Sequence, residues 1–231
     1  MLSDETSRKV FNHLVLYRLL PLPLFTNDAY DPTSPHYYNN EILKTSENEV
    51  FLDVGASVGD TILSYINNAG KYSKIYAYEL SNQRMEECRS NLKGYENIIF
   101  RQVGVGKENG ELNFKEYVKD GFLQSDNSDL NLAIKSNTQM PIVKLDDDVD
   151  DNVTFIKMDI EGMELDALEG ATEILKNNKP KLAISIYHYD TDFWEIPLLI
   201  YNINPQYRFY IRHYSKINNL ETVLYAVCHG N

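Results

Sequence analysis

The stretch Val50-Phe51-Leu52-Asp53-Val54-Gly55-Ala56-Ser57-Val58-Gly59-Asp60-Thr61 limits the fold of this chain more than any other. Its opening apolar run predicts a buried parallel strand. The chain then breaks at Gly55 and Gly59. It resumes as an amphipathic helix carried by Ile62, Leu63, Tyr65 and Ile66. Gly70 is the expected stop, because glycine at the C′ position commonly ends a helix. Strand, glycine loop and helix together make the half-unit that grips a nucleotide-like ligand at a helix N-terminus. Glycine is needed where a Cβ would hold the backbone away from that ligand.

The spacing is D-x-G-x-x-x-G rather than the G-x-G-x-x-G that suits a pyrophosphate resting on backbone amides. Asp53 at the strand end repels a pyrophosphate and suits a ligand bearing an ammonium group. S-adenosylmethionine carries that group, with a sulfonium and no phosphate. A second strand, Ser73 to Glu79, ends in an acid 24 positions after Gly55. Nucleotide-binding α/β units place a ribose-binding acid at about 20 residues. The structural alternatives are a purely steric turn at the glycines, and helix-start charge for Glu79 beside the capping Ser81.

These two elements resemble the first motifs of class I S-adenosylmethionine-dependent methyltransferases. A later segment, Ile156-Lys157-Met158-Asp159-Ile160-Glu161-Gly162-Met163-Glu164 through Leu168, Gly170 and Ala171, resembles the FkbM family pattern I-K-x-D-x-E-G-x-E-x-x-x-L-x-G-A. The resemblance covers about residues 48–228. It implies a Rossmann-like α/β fold with a seven-stranded, mostly parallel sheet, a C-terminal antiparallel hairpin and helices on both faces. The expected division is 1–47, an N-terminal helix and Pro-rich arm or lid, and 48–231, the methyltransferase domain. The candidate cofactor contacts are Asp53, Gly55, Ala56, Gly59, Asp60 and Thr61 in the loop, Glu79 and Leu80 after the second strand, Gln102 and Val103 after the third, and Asp159. Ser81 stands where the family often has proline and Gly104 where alanine is common, so the adenine pocket is expected to differ slightly.

The 231 residues fit one α/β domain with a short extension, and 43% hydrophobic residues supply one core. A net charge of −12 argues against a phosphate-backbone partner. Cys88 and Cys228 have no metal-ligand spacing and read as buried thiols of a reducing compartment, so a cytoplasmic location is expected. The sequon at Asn152 reads as coincidence. His13 to Phe25, interrupted by Arg18, Pro21 and Pro23, is too short to span a bilayer, so stable membrane insertion is not expected. No secretory signal is read beside Asp4 and Glu5. A homodimer is among the assemblies the sequence allows.

In chain order, a helix is expected over Thr6–Leu20 with Val10, Leu14 and Tyr17 as its stripe. A four-proline segment follows over 21–40, ending His36-Tyr37-Tyr38-Asn39. It reads equally as a lid over the cofactor mouth or an inert arm on the sheet edge. Asn82–Lys93 is a helix with Met85, Cys88 and Leu92 inward, and Asn97–Val103 a third strand. Glu111–Tyr117 and Gln139–Leu145 alternate like two antiparallel strands around a polar loop, Asp120–Asn137. The acids at 146–151 fail as a calcium loop, with Asp151 where glycine is needed and Lys157 where Glu is needed. Val153–Met158 is the fourth core strand and Lys181–Tyr189 the fifth. A helix with Trp194, Leu198, Leu199 and Tyr201 and a hairpin of Tyr207–His213 and Glu221–Cys228 complete the chain.

Ligands of open parallel sheets bind beyond the strand carboxyl ends. Asp159, Glu161 and His188 all fall there and are the catalytic candidates, with His188 as the general base because its pKa class suits proton transfer near neutrality. Tyr37, Tyr38, Tyr189 and His213 are candidates for holding a substrate. Asp159 and Glu161 at i and i+2 can hold a divalent metal together with a substrate diol. The sequence does not demand one, and no metal ligand is assigned. The family resemblance implies O-methylation of a hydroxyl on a sugar, glycan or natural product. An NAD(P)-dependent oxidoreductase or epimerase is the rival, weakened by the missing three-glycine fingerprint and by the lack of any Tyr-x-x-x-Lys pair. A non-catalytic binding module with the same fold is the other alternative.

Overall fold

The computed structural model describes residues 1–69, 71–117 and 134–228. The helix stop expected at Gly70 and most of the polar loop expected over 120–137 lie outside the described residues. Two helices come first, α1 (Glu5–Leu19) and α2 (Pro23–Ala29). The central units are β1 (Val50–Val54), α3 (Asp60–Ala69), β2 (Lys74–Tyr78), α4 (Asn82–Asn91) and β3 (Ile98–Arg101). Three strands, β4 (Gly104–Val105), β5 (Gly110–Tyr117) and β6 (Ile134–Val143), form a small separate sheet. Next come α5 (Leu145–Asp148), β7 (Phe155–Met158), α6 (Glu164–Glu169), α7 (Thr172–Asn177) and β8 (Lys181–Ser185). The last elements are α8 (Asp192–Ile203), β9 (Tyr207–His213) and β10 (Thr222–Cys228).

The main sheet has seven strands in the order β3-β2-β1-β7-β8-β10-β9. The first five run parallel, and β10 turns back antiparallel to both β8 and β9. This is the mixed sheet and terminal hairpin that the sequence predicts. The connections leave β1 in one direction to β2 and return on its other side through β7. The order therefore reverses at β1, and ligands in open α/β sheets bind at such a switch point.

Period-two alternation divides the core between the two faces. Phe51, Ile75, Phe155, Ala183 and Tyr225 meet Ile62 and Tyr65 of α3, Cys88 of α4, and Tyr38 and Leu43 of the arm. Leu52, Val54, Ile156, Met158, Ile184 and Leu224 meet Val10 and Leu14 of α1 and the helices α6, α7 and α8. The Phe51 and Phe155 rings, paired in register, stack at 4.7 Å.

Several elements differ in detail from expectation. The proline segment contains a full short helix, α2, because Pro23 sits at its N-terminal turn, where a missing N–H costs nothing. β6 begins at Ile134, earlier than expected. In α8 the buried residues are Asp192, Phe193, Ile196, Pro197 and Ile200, whereas Trp194, Leu198 and Tyr201 face solvent. Two of the acids after β6 have separate partners. Asp146 accepts the Glu173 and Ile174 amides at 3.0 Å, and Asp151 accepts from Lys74 and from the Tyr76 hydroxyl at 2.6 Å. Among the described residues, no helix is long and apolar enough to cross a membrane.

One buried ion pair anchors the start of the sheet. Glu49 is 0% exposed and meets Lys181 Nζ at 2.6 Å. Glu49 also accepts from Thr154, which ties the entry of β1 to those of β7 and β8. Removing the lysine alone leaves a buried, uncompensated carboxylate. Lys181→Met should therefore lower unfolding free energy by about 3–5 kcal/mol in urea denaturation. The Glu49→Gln/Lys181→Met double variant should recover much of that. A loss under about 1 kcal/mol, the range of exposed pairs, would contradict the anchoring role.

Candidate active site

The loop after β1 folds as the sequence requires. A Cβ on Gly55, which has φ +85°, would come within 1.9 Å of the Asp159 carbonyl oxygen, so only glycine lets β1 and β7 end this close together. The Gly55 and Ala56 amides both donate to Tyr78 O, at 3.0 and 2.8 Å. The Ser57 amide donates to Glu79 Oε2 at 3.0 Å, and the Gly59 amide to Ala56 O at 2.8 Å. These four amides are committed to the protein's own oxygens.

Residues 55–59 also spell G-x-S-x-G, the spacing of a hydrolase nucleophile elbow, and Ser57 has φ +48°. In that elbow the serine hydroxyl meets a histidine. Among the described residues, no hydrogen bond joins Ser57 to one.

Beyond the strand ends lies a cleft of about 370 Å³. Of the expected cofactor contacts, Gly55, Asp60, Thr61, Glu79, Leu80, Val103 and Asp159 line it. Ala56 is buried beneath the loop, Gly59 packs against Cys88 and Leu92, and Gln102 lies outside the cleft lining. Glu79 Oε1 accepts the Ser81 amide at 2.7 Å, which fixes its carboxylate at the cleft wall.

Asp53 needs correction. It is 0% exposed, behind the loop, and its partner is Lys157 Nζ at 3.0 Å. Asp53 does not line the cleft, and the ammonium beside it is the protein's own. Lys157 also donates to Gly55 O at 2.6 Å. Burial pushes Asp53 up to about 6 against the pull of Lys157. Burial also opposes the charge on Lys157, but Asp53 and Asp159 outweigh it and hold the ammonium protonated.

Asp159 stands where β7 ends. Its carboxylate accepts from Tyr37 Oη at 2.8 Å and Tyr187 Oη at 3.1 Å, and lies 3.4 Å from His188 Nε2. Burial raises its pKa, but Lys157, His188 and the Tyr37 hydroxyl more than offset this, so the carboxyl stays below its ordinary value. Glu161 Oε2 lies 3.6 Å from His188 Nε2, on a residue with φ +57°. At neighbouring Gly162, φ +97°, a Cβ would strike the Tyr189 ring at 2.3 Å. Tyr189 therefore packs on this turn and does not line the cleft.

His188 carries a second correction. Its Nδ1 stands 3.0 Å from Glu164 Oε1, and Asp159 and Glu161 flank Nε2. Burial works against protonation, but these carboxylates prevail and raise the pKa to about 9. Near neutral pH the ring is an imidazolium, which has no lone pair to accept an acceptor's proton.

Two of the expected substrate residues are core residues. Tyr38 is 3% exposed and donates to Thr61 O at 2.7 Å. His213 is fully buried with Nδ1 2.9 Å from Thr222 Oγ1. Tyr37 does line the cleft, brought there by the arm together with His36, whose ring stacks on it at 3.9 Å. Burial lowers His36 to about 4, so this imidazole is neutral, 3.4 Å from Glu221 Oε2. Sequence reasoning missed Lys157, His36, Glu164 and Glu221. For Lys157 one signal existed, a lone cation inside a buried strand.

The histidine cage is open to test. A raised folded-state pKa contributes stability that is fully present below the ordinary 6.5 and is lost as pH rises through about 9. In chelated buffer, the stability advantage of the wild type over His188→Gln should therefore shrink between pH 6.5 and 9. An advantage that grows over that interval would contradict the cage.

Known proteins resemble this one in both sequence and fold. The family model "Methyltransferase FkbM domain" matches residues 53–217. No curated protein matches the chain in sequence. A solved structure of methyltransferase FkbM from Methylobacillus flagellatus KT is 28% identical with a TM-score of 0.82, over 97% of this chain and 56% of that one. The chain thus spans little more than half the length of that relative. An rRNA methylase from Streptococcus thermophilus, 17% identical with a TM-score of 0.50 over 84% of this chain and 92% of its own, shares the fold. Because the family match spans well over half the sequence, the chain belongs to the FkbM methyltransferase family.

Proposed function

We propose that this protein transfers the methyl group of S-adenosylmethionine to a hydroxyl of a sugar, glycan or natural product. One observation carries the cofactor assignment. The Gly55, Ala56, Ser57 and Gly59 amides are turned onto protein oxygens, while the acids Asp60, Glu79 and Asp159 line the cleft. That arrangement fits a ligand with an ammonium group and a ribose diol and no phosphate. It disfavours NAD(P) for the same reason. In this reading Glu79 accepts the ribose hydroxyls and Asp60 faces the ammonium. Val103, Leu112 and Ile142 give the adenine an apolar wall.

The acceptor side is then the wall of His36, Tyr37, Glu161, Tyr187 and Glu221. The acceptor oxygen attacks the methyl carbon in line, the carbon–sulfur bond breaks, and S-adenosylhomocysteine leaves neutral. Holding the two reactants in line supplies up to about 7–11 kcal/mol in favourable cases. The hydroxyl proton goes to a carboxylate of this wall, where burial raises the pKa of both Glu161 and Glu221. A placed base adds about 10²–10⁴-fold. The acids of this wall and the net charge of −12 favour a neutral or cationic acceptor over an RNA. Two free, buried thiols fit a reducing, cytoplasmic setting.

Calorimetric titration with S-adenosylhomocysteine tests this reading, with NAD and NADP as controls. Binding of the first alone is expected, and Glu79→Gln should weaken it by about 1.5–3 kcal/mol, tenfold or more. Preference for a nicotinamide cofactor, or an unchanged affinity in Glu79→Gln, would overturn it.

A further inference from the structure

We propose that His188, Asp159 and Glu161 bind one divalent transition-metal ion at the edge of the cleft, with Glu164 as the carboxylate beside the other ring nitrogen. His188 Nε2 has Asp159 Oδ1 at 3.4 Å and Glu161 Oε2 at 3.6 Å. Ligands bonded at about 2.0–2.2 Å to one ion stand about 3–4 Å from one another, so these separations suit atoms sharing an ion. The donor atoms that lie mutually within 4.8 Å are those of Asp159, Glu164 and His188, and Glu161 adds a fourth group 3.6 Å from Nε2.

The other ring nitrogen supplies independent support. A metal-bound histidine nearly always donates its second N–H to a carboxylate, which fixes the tautomer and aims the ring. Here Nδ1 stands 3.0 Å from Oε1 of Glu164, an ion-pair contact rather than an aligned hydrogen bond, and that oxygen is itself held by the Ile160 amide at 2.8 Å. Glu164 is only 1% exposed, and its Oε2 has no partner. A buried carboxylate with an unsatisfied oxygen calls for more positive charge than one imidazole carries.

Asp159 is set for ligation in the same way. Tyr37 and Tyr187 donate to it at 2.8 and 3.1 Å, and these bonds fix the carboxylate before any ion arrives. One imidazole with two carboxylates is a borderline donor set, suited to Mn²⁺, Co²⁺ or Zn²⁺ more than to Ca²⁺ or Mg²⁺. Because Asp159 and Glu161 line the cleft, the remaining coordination positions face ligand space. Two vicinal hydroxyls would fit there.

Titration of the chelator-stripped protein with MnCl₂, reading free Mn²⁺ by electron paramagnetic resonance, tests the site. It needs no cofactor or acceptor, so it stands apart from the methyl-transfer reading. One ion per chain at micromolar affinity is expected. His188→Ala and Glu161→Gln should each weaken binding by at least about 10²-fold, and Glu164→Gln by about 10–100-fold. Glu221→Gln removes a carboxylate from the same cleft outside this set and should change the affinity little. Near-ultraviolet circular dichroism checks that each variant is folded, and half-exposed Glu161 gives a variant that spares the core. Absence of binding at millimolar Mn²⁺ would overturn the proposal. So would equal weakening by Glu221→Gln and Glu161→Gln, which would mean diffuse attraction to an acidic cleft.

Discussion

The cleft rests on one buried ion pair. Asp53 and Lys157 face each other in register on β1 and β7, the two strands at which the order of the sheet reverses. Desolvating two charges costs several kcal/mol per ion, and such a pair is tolerable only with close geometry and further hydrogen bonds. Lys157 has both, a carboxylate at 3.0 Å and the Gly55 carbonyl at 2.6 Å. Through that second bond the lysine fixes the loop after β1. The same cation helps keep Asp159 ionised at the neighbouring strand end.

Around this fixed floor the backbone carries strain. Tyr37, Ser57, Glu161 and Glu221 have φ between 48° and 64°, and all four line the same cleft. Left-handed backbone at such residues costs about 1–3 kcal/mol each and persists only where the surroundings hold it. Those surroundings include stacked Phe51 and Phe155 with Tyr38 and Tyr65 packed beside them. They also include α1, whose Asp4 meets Arg212 Nη2 at 2.6 Å and whose Ser7 hydroxyl accepts the Ile211 amide at 2.9 Å. The residue just before α1 and the helix itself thereby grip the outer strand of the sheet. An exposed sheet edge otherwise invites pairing with other chains.

What could be read from the sequence followed local rules. The strand–glycine–helix unit and the position of Glu79 at a strand end both come from short-range pattern, and the structure has them. The long Ile156–Ala171 signature identified the family because its spacing is specific. The elements that sequence reading missed depend on contacts made over long separations. Tyr37 reaches Asp159 across 122 positions, and nothing near residue 37 signals that contact. Lys157 and Asp53 were each visible, but only strand register makes them a pair. His188 looked like a neutral base until three carboxylates from a strand end, a turn and a helix were brought around it. In α8 the apolar residues surround the helix, so composition alone did not say which side faces the core.

If the Asp53–Lys157 pair organises the site, the two charges must be energetically coupled, and a double-mutant cycle reads that coupling directly. Unfolding free energies of the wild type, Asp53→Asn, Lys157→Met and the double variant should give an interaction of about 2–3 kcal/mol, at the upper end for residues in contact. The double variant should be more stable than Lys157→Met alone, since it no longer buries an uncompensated carboxylate. Additive effects, with an interaction below about 0.5 kcal/mol, would contradict the account.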